Sequence, residues 1–288
     1  MPADRTEIVQ QVGALVALPG VRERAEMARE ACTRLRFHEA LRRRIPEASA
    51  ESRVRGAQAS AALDGANLPL SAVREHMSGA REWPDDTDPG LRVVRGAVGV
   101  TAESERVVTL VLTAPLQVLA RLHVAAASSL VAGDRLGRPR TGTDGCDEFI
   151  DLGPPPPPSV VSLRLANLAD LITSLSSGPG RPPAVVVSSI VHAEIVSIRP
   201  FAAGNGLVAR AMERVLVQAL GLDPTGVAVP EAGHVAGGGP AYLGALTAYG
   251  QGTAAGVGLW LQQAADAVIA GAGEGVRICD AVRAGRLG

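Results

Sequence analysis

Apolar residues recur three and four positions apart along most of the chain, and glycines and prolines cut that pattern into segments. Residues 4–55 carry the pattern with dense charge. Leu35, His38, Leu41 and Ile45 fall on one face, and Pro19-Gly20 splits the stretch into at least two helices. Gln58–Ala66 predicts a turn or two of helix ending near Gly65, and Pro69 suits the first turn of a helix through His76. Trp83–Gly90 is turn-rich. Over Leu91–Val100 the pattern loosens toward alternation, and Val93, Val94, Val98 and Val100 predict a short strand or hairpin. Residues 105–132 predict core helix interrupted at Pro115, and 133–153 predict loop. Five prolines, Pro154–Pro158, then lead rigidly into a helix reaching about Leu175. Ala184–Ile198 is apolar nearly all round and predicts a central helix, and Leu207–Leu220 resumes as helix after the breaker-rich PFAAGNG. A glycine-rich stretch, Gly233–Gly239, precedes helices over roughly 240–250 and 255–270, and a short frayed tail follows. The fold class expected is all-α in the main, with one small β-hairpin and no βαβ rhythm. The expected division is an N-terminal helical region over 1–55, a main domain over 56–270 that includes the helix at 58–66, and a tail over 271–288.

Composition narrows the function classes. With 47% hydrophobic residues in 288, a sizeable core is expected, and a net charge of −1 does not suit a general nucleic-acid binder. All 28 basic residues are arginine, so a lysine Schiff base and a P-loop lysine are excluded. Aromatic residues make up only 2%, too few for a stacking platform. Cys32, Cys146 and Cys279 lie far apart in neither a metal-ligand spacing nor a disulfide framework. The absence of a signal-like start and of an 18-residue apolar run leads to the expectation of a soluble, cytoplasmic protein without a membrane partner. Arg34, Arg36 and Arg42–Arg44 form a basic cluster, read first as a solvated face and second as a contact for an anionic partner.

The most informative stretch joins the two central helices. Gly204-Asn205-Gly206 precedes a helix start, where glycine backbone freedom and free N–H groups make an anion nest suited to phosphate, and Arg210 follows one turn later. Together with the lead-in Arg199-Pro200-Phe201, this resembles the signature of the Fic (Fic/DOC) family: His-Pro-Phe, any residue, Asp or Glu, Gly-Asn-Gly-Arg, two residues, Arg. Pro200, Phe201, Gly204, Asn205, Gly206 and Arg210 match. Arg199 stands at the histidine, Ala203 at the acidic residue and Leu207 at the first arginine. His192 falls where the family has a helix histidine, and Tyr242, Leu246 and Trp260 fit its closing helices. The resemblance implies a Fic-type helical core with a β-hairpin flap that holds the target segment, placed at Arg92, Val93 and Val94. Ser60, Asp64 and Gly65 resemble the family's inhibitory motif, with Asp64 a shortened counterpart of the glutamate that pairs with the second arginine, here Arg210.

The family's usual chemistry transfers AMP from ATP to a protein hydroxyl. The resemblance implies that the histidine acts as base, the acidic residue holds Mg²⁺ and the arginines hold the phosphates. A guanidinium cannot take up that proton, a step typically worth about 10² to 10⁴ in rate. Ala203 offers no metal ligand, so Mg²⁺ is not expected, and no residue is assigned as catalytic or as a metal ligand. His192, about 10 Å from Arg199 along the helix, is too far to replace the base and is read as structural. His38, His76, His123 and His234 carry no supporting motif. Asp144, Asp147 and Glu148 are candidate replacement ligands from one loop. The leading expectation is a catalytically degenerate Fic-like protein that retains ATP, another nucleotide or a phosphate ligand on Arg199, Gly204, Asn205, Gly206 and Arg210, in a regulatory or protein-binding role. The alternatives are an active adenylyltransferase with non-standard residues, and a macromolecule-binding module without nucleotide.

Overall fold

A computed structural model describes residues 5–84, 88–148, 151–175, 178 and 180–287. These residues form twelve α-helices and three short 3-10 turns. At the centre α8 (Ala184–Ile198) packs against α9 (Asn205–Ala219). Helix α8 is buried on almost every side because it carries valine, isoleucine, alanine and small serines with no charged residue before Glu194. Helix α9 is equally buried but carries Arg210, Glu213 and Arg214, whose spacing of three and four places them on one face.

That polar face meets α3 (Ile45–Leu63) and the short helix α10 (Pro230–Ala236). The last helix of the fold, α12 (Ala254–Arg283), lies along α2 (Val21–Arg36), α10 and α11 (Gly239–Gly250). Thr253 caps it by accepting from the Gly256 N–H at 3.1 Å, and Trp260 anchors it through an indole bond to the Ser189 carbonyl at 2.8 Å. Within the remaining helices, α6 (Pro115–Ala127) packs on α5 (Pro89–Val107), and α7 (Val161–Leu175) follows the proline run. Helices α1 (Arg5–Val16) and α4 (Leu70–Ser78) complete the set. No described helix is long and apolar enough to cross a membrane.

Three expectations change. The hairpin expected at Arg92, Val93 and Val94 is absent, and no strand occurs among the described residues. Those residues lie in α5, where Pro89 occupies the first turn and the Asp88 carboxylate accepts from the Leu91 N–H at 3.0 Å. Burial of Val93, Val94, Ala97, Val98, Thr101 and Ser104 follows the helical period, so packing against α3, α6 and α9 overrides the strand preference of the valines. The helix expected to end near Ala270 continues to Arg283, and α3 runs without interruption through residues 55 and 56. The glycine-rich stretch begins inside α10. A Cβ at Gly233 would lie 1.8 Å from the Ala267 carbonyl oxygen, so glycine there permits the close crossing of α10 and α12.

Candidate functional site

The loop from Arg199 to Gly204 turns the chain from α8 into α9. Arg199 ends α8 in the left-handed conformation, with φ of 43°, and Gly204 opens α9 with φ of 75°. Asn205 ties the loop to itself: its Oδ1 accepts from the Phe201 N–H and its Nδ2 donates to the Phe201 carbonyl, both at 2.9 Å. Phe201 is stacked on His123 with ring centroids 3.8 Å apart, and burial pulls the His123 pKa down to about 4.

An extended segment runs beside this loop. The Arg140 N–H donates to the Pro200 carbonyl and the Asp147 N–H to the Ala202 carbonyl, each at 2.7 Å. The segment delivers Glu148 onto the start of α9, where Oε1 accepts from the Asn205 backbone N–H at 2.9 Å and also from Asn205 Nδ2. A carboxylate therefore occupies the positive end of the helix, a place equally suited to a phosphate oxygen. Burial pushes the Glu148 pKa up, against the pull of the Asn205 bonds. Of the other acids in this loop, Asp144 turns back on the Thr141 N–H at 2.9 Å.

Arg199 is held away from any proton-transfer role. Its two terminal nitrogens donate to the Gly153 and Pro154 carbonyls, both at 2.7 Å, and Arg140 Nε donates to the Arg199 carbonyl at 2.8 Å. The guanidinium staples the lead-in to the proline run across the loop.

Arg210 is 1% exposed and points toward the end of α3. Its Nε donates to Ser60 Oγ at 2.8 Å, and its Nη2 donates to the Ser60 carbonyl at 3.1 Å and to Asp64 Oδ2 at 2.7 Å. Whether an aspartate would reach was open from sequence, since it is one methylene shorter than glutamate. The end of α3 supplies the reach. Gly65 adopts φ of 80°, its N–H bonds to the Ala62 carbonyl and the Ala66 N–H bonds to the Ala61 carbonyl, a Schellman stop that fixes Asp64 as the C-cap residue just past Leu63. Burial opposes the Arg210 charge, but Asp64 and Tyr242 outweigh it and raise its pKa.

Asp64, Glu148, Arg199, Asn205, Gly206 and Arg210 thus surround one cavity, and its free volume is only ≈ 20 Å³. That is room for about one water. The protein's own carboxylates fill the nest. Beyond Leu152, Val196, Arg199 and Leu246, which line both spaces, lies a larger cleft of ≈ 570 Å³ that includes Arg164, Glu194 and Tyr249. Arg92, Val93 and Val94 line neither.

Tyr242 connects the nest to a second polar cluster. Its hydroxyl lies 3.4 Å from Arg210 Nη1 and 2.9 Å from His192 Nε2. His192 Nδ1 meets Glu213 Oε2 at 2.7 Å, and His234 Nε2 meets the same oxygen at 2.9 Å. Burial would raise the Glu213 pKa, but His234 and His192 hold it down at about 2. Sequence reading placed His192 in a structural role and gave His234 none. The available signal was Arg210-x-x-Glu213-Arg214, three charges within two turns of an apolar helix.

No family model matches the chain, and no curated protein matches it. Solved structures do. Fic-1 from C. elegans superposes with a TM-score of 0.63 at 16% identity, over 92% of this chain and 73% of that one. A Fic family protein from Desulfovibrio desulfuricans gives a TM-score of 0.60 at 21% identity, over 100% and 78% of the two chains. The fold is the Fic fold. In that fold the loop between the two central helices carries Arg199–Gly206, and Arg210 points from the second of them toward α3.

Proposed function

We propose that this chain is a catalytically degenerate Fic-fold protein whose anion nest serves as a regulated binding site for a nucleotide or another phosphate-bearing ligand, without AMP transfer. The observation that carries the reading is the commitment of Arg199. At the position the family resemblance gives to the catalytic histidine, a permanently charged guanidinium is bonded to the Gly153 and Pro154 carbonyls. Ala203, at the place of the acidic residue, brings no oxygen for Mg²⁺.

What remains is recognition chemistry. Asn205, Gly206 and Arg210 offer a helix start and a buried guanidinium, and two carboxylates hold their places in the absence of a ligand. Asp64 sits at the C-terminal, negative end of α3, where a carboxylate is disfavoured by the helix dipole and depends on Arg210 for compensation. An incoming phosphate group competes with Asp64 for Arg210 and with Glu148 for the Asn205 N–H. In this reading the segment from Ser60 to Gly65 is a built-in inhibitor of binding.

Calorimetric titration with ATP, with and without Mg²⁺, tests this. The Asp64→Ala variant binds at least about tenfold tighter than the parent chain, equally well with EDTA, and Arg210→Ala abolishes binding. Incorporation of label from α-³²P-ATP into the chain or a co-purified protein would overturn the degenerate assignment. No heat from any of the three proteins would overturn nucleotide recognition.

A further inference from the structure

The cluster at the other end of the Tyr242 link joins three helices and has a chemistry of its own. His192 comes from α8, Glu213 from α9 and His234 from α10, and all three side chains are buried, with exposures of 0%, 1% and 0%. His192 Nδ1, Glu213 Oε2 and His234 Nε2 all lie within 4.8 Å of one another. We infer that His192, Glu213 and His234 form a structural site for a divalent transition-metal ion, zinc by its donor set, that pins α8, α9 and α10 together.

The competing account is a plain hydrogen-bonded triad, in which Glu213 accepts an N–H from each imidazole. That account leaves Glu213 Oε1, a buried carboxylate oxygen, without a partner, and such an orphan is costly; His234 Nδ1 has no partner with or without an ion. A cation takes both carboxylate oxygens, which gives Oε1 a partner and brings the donors to four: two imidazole nitrogens and two oxygens. Two imidazoles with one carboxylate suit zinc, whereas magnesium and calcium favour all-oxygen shells.

The surroundings hold one of the two histidines, His192, as a metal-bound imidazole requires. The Tyr242 hydroxyl, 2.9 Å from His192 Nε2, fixes that ring from behind. Trp260 stacks nearly parallel to His234, at 4° and 5.8 Å, and meets His192 edge-on at 5.0 Å. The two nitrogen–oxygen contacts need little movement, while the two nitrogens, within 4.8 Å of one another, draw closer. Tetrahedral zinc separates its ligand atoms by roughly 3.3 Å. The nitrogens now lie 2.7 and 2.9 Å from the shared oxygen, so each contact opens by about half an ångström. Both imidazoles stay neutral. The His192 proton moves from Nδ1 to Nε2, where the Tyr242 oxygen accepts it, and the His234 proton moves from Nε2 to Nδ1.

Complete burial means that the ion enters as the chain folds, which decides the test. The untagged protein is unfolded in guanidinium with a chelator, desalted, and refolded with Zn²⁺, with Co²⁺ or with neither. The inference expects about one zinc retained per chain after gel filtration, and a Tm at least about 5 °C above that of the metal-free sample. Co²⁺ should give the strong visible bands of a four-coordinate site. Glu213→Gln and His234→Gln should remove the retained metal and the Tm difference. Should either variant fail to fold, the refolding of the parent chain alone still decides. Equal Tm values with no retained zinc and no cobalt spectrum would overturn the inference and leave the triad as hydrogen bonds only.

Discussion

Two buried arginines one turn apart on α9 make nearly the same contacts and end in different states. Arg214 donates to Ser52 Oγ at 3.0 Å and to the Ser52 carbonyl, and Arg210 does the same with Ser60 two turns further along α3. Their carboxylates differ. Glu231 meets Arg214 through both oxygens, Nε to Oε1 and Nη2 to Oε2, each at 2.8 Å. Asp64 meets Arg210 through one, and the pair borders a cavity. A matched fork is a bolt, because both directional bonds must break together. A single bond at the wrong end of a helix dipole is exchangeable. Burial alone therefore does not separate the two arginines; the number of bonds to the partner carboxylate does.

The comparison can be broken most severely at the bolt. Glu231→Ala strands a buried guanidinium and should lower stability by about 3–5 kcal/mol in urea unfolding, with no gain in phosphate affinity. A loss under about 1 kcal/mol would show that the fork is dispensable. Asp64→Ala removes one bond from Arg210 where Glu231→Ala removes two from Arg214, so its cost should be about 1–3 kcal/mol, and added pyrophosphate should recover part of the lost Tm. A variant that pyrophosphate leaves unchanged would put Arg210 in the same class as Arg214.

Next comes the staple on the other side of the nest. Arg199→Ala frees the Gly153 and Pro154 carbonyls, at a cost of about 1–2 kcal/mol, and should speed amide exchange around residue 153 while exchange in α3 stays slow. Uniform exchange in both regions would tie the staple to the global fold. The smallest effect belongs to Glu148. Its folded pKa is raised, so the fold penalises its ionised form and stability rises as pH falls from neutral through that raised value, levelling off below the ordinary value near about 4.3. Glu148→Gln should remove that rise, visible as a flatter plot of Tm against pH.

The parts of this architecture differ in how far the sequence discloses them, for physical reasons. The central pair of helices is plain from local pattern, since Ala184–Ile198 is apolar all round and Gly204-Asn205-Gly206 marks a helix start. The valine-rich segment misleads, because β-branched residues raise strand preference locally while the Asp88 cap and the helical spacing of buried positions decide for helix. His234 is hidden by Gly233, which reads as a breaker until the Ala267 carbonyl shows why no side chain fits. Glu148 is one acid among three in its loop. Only the nonlocal bonds from residues 140 and 147 to the Pro200 and Ala202 carbonyls select it. The staple made by Arg199 is equally nonlocal, since its partners lie 45 and 46 residues away.

Helix α3 carries both serines, and that single fact gives motion at the nest a direction. Ser52 is pinned by Arg214, and Ser60 lies about 12 Å further along a continuous helix. Beyond the bolt at Ser52 the helix runs about three more turns to Leu63, and that stretch is what releasing Asp64 would loosen. The helix can peel from its C-terminal tip and stop at the bolt, so the fold has a fixed fulcrum and a short, one-ended lever. A ligand that displaced Asp64 would thereby be reported on the surface at Gly65, while the N-terminal half of α3 stays in place.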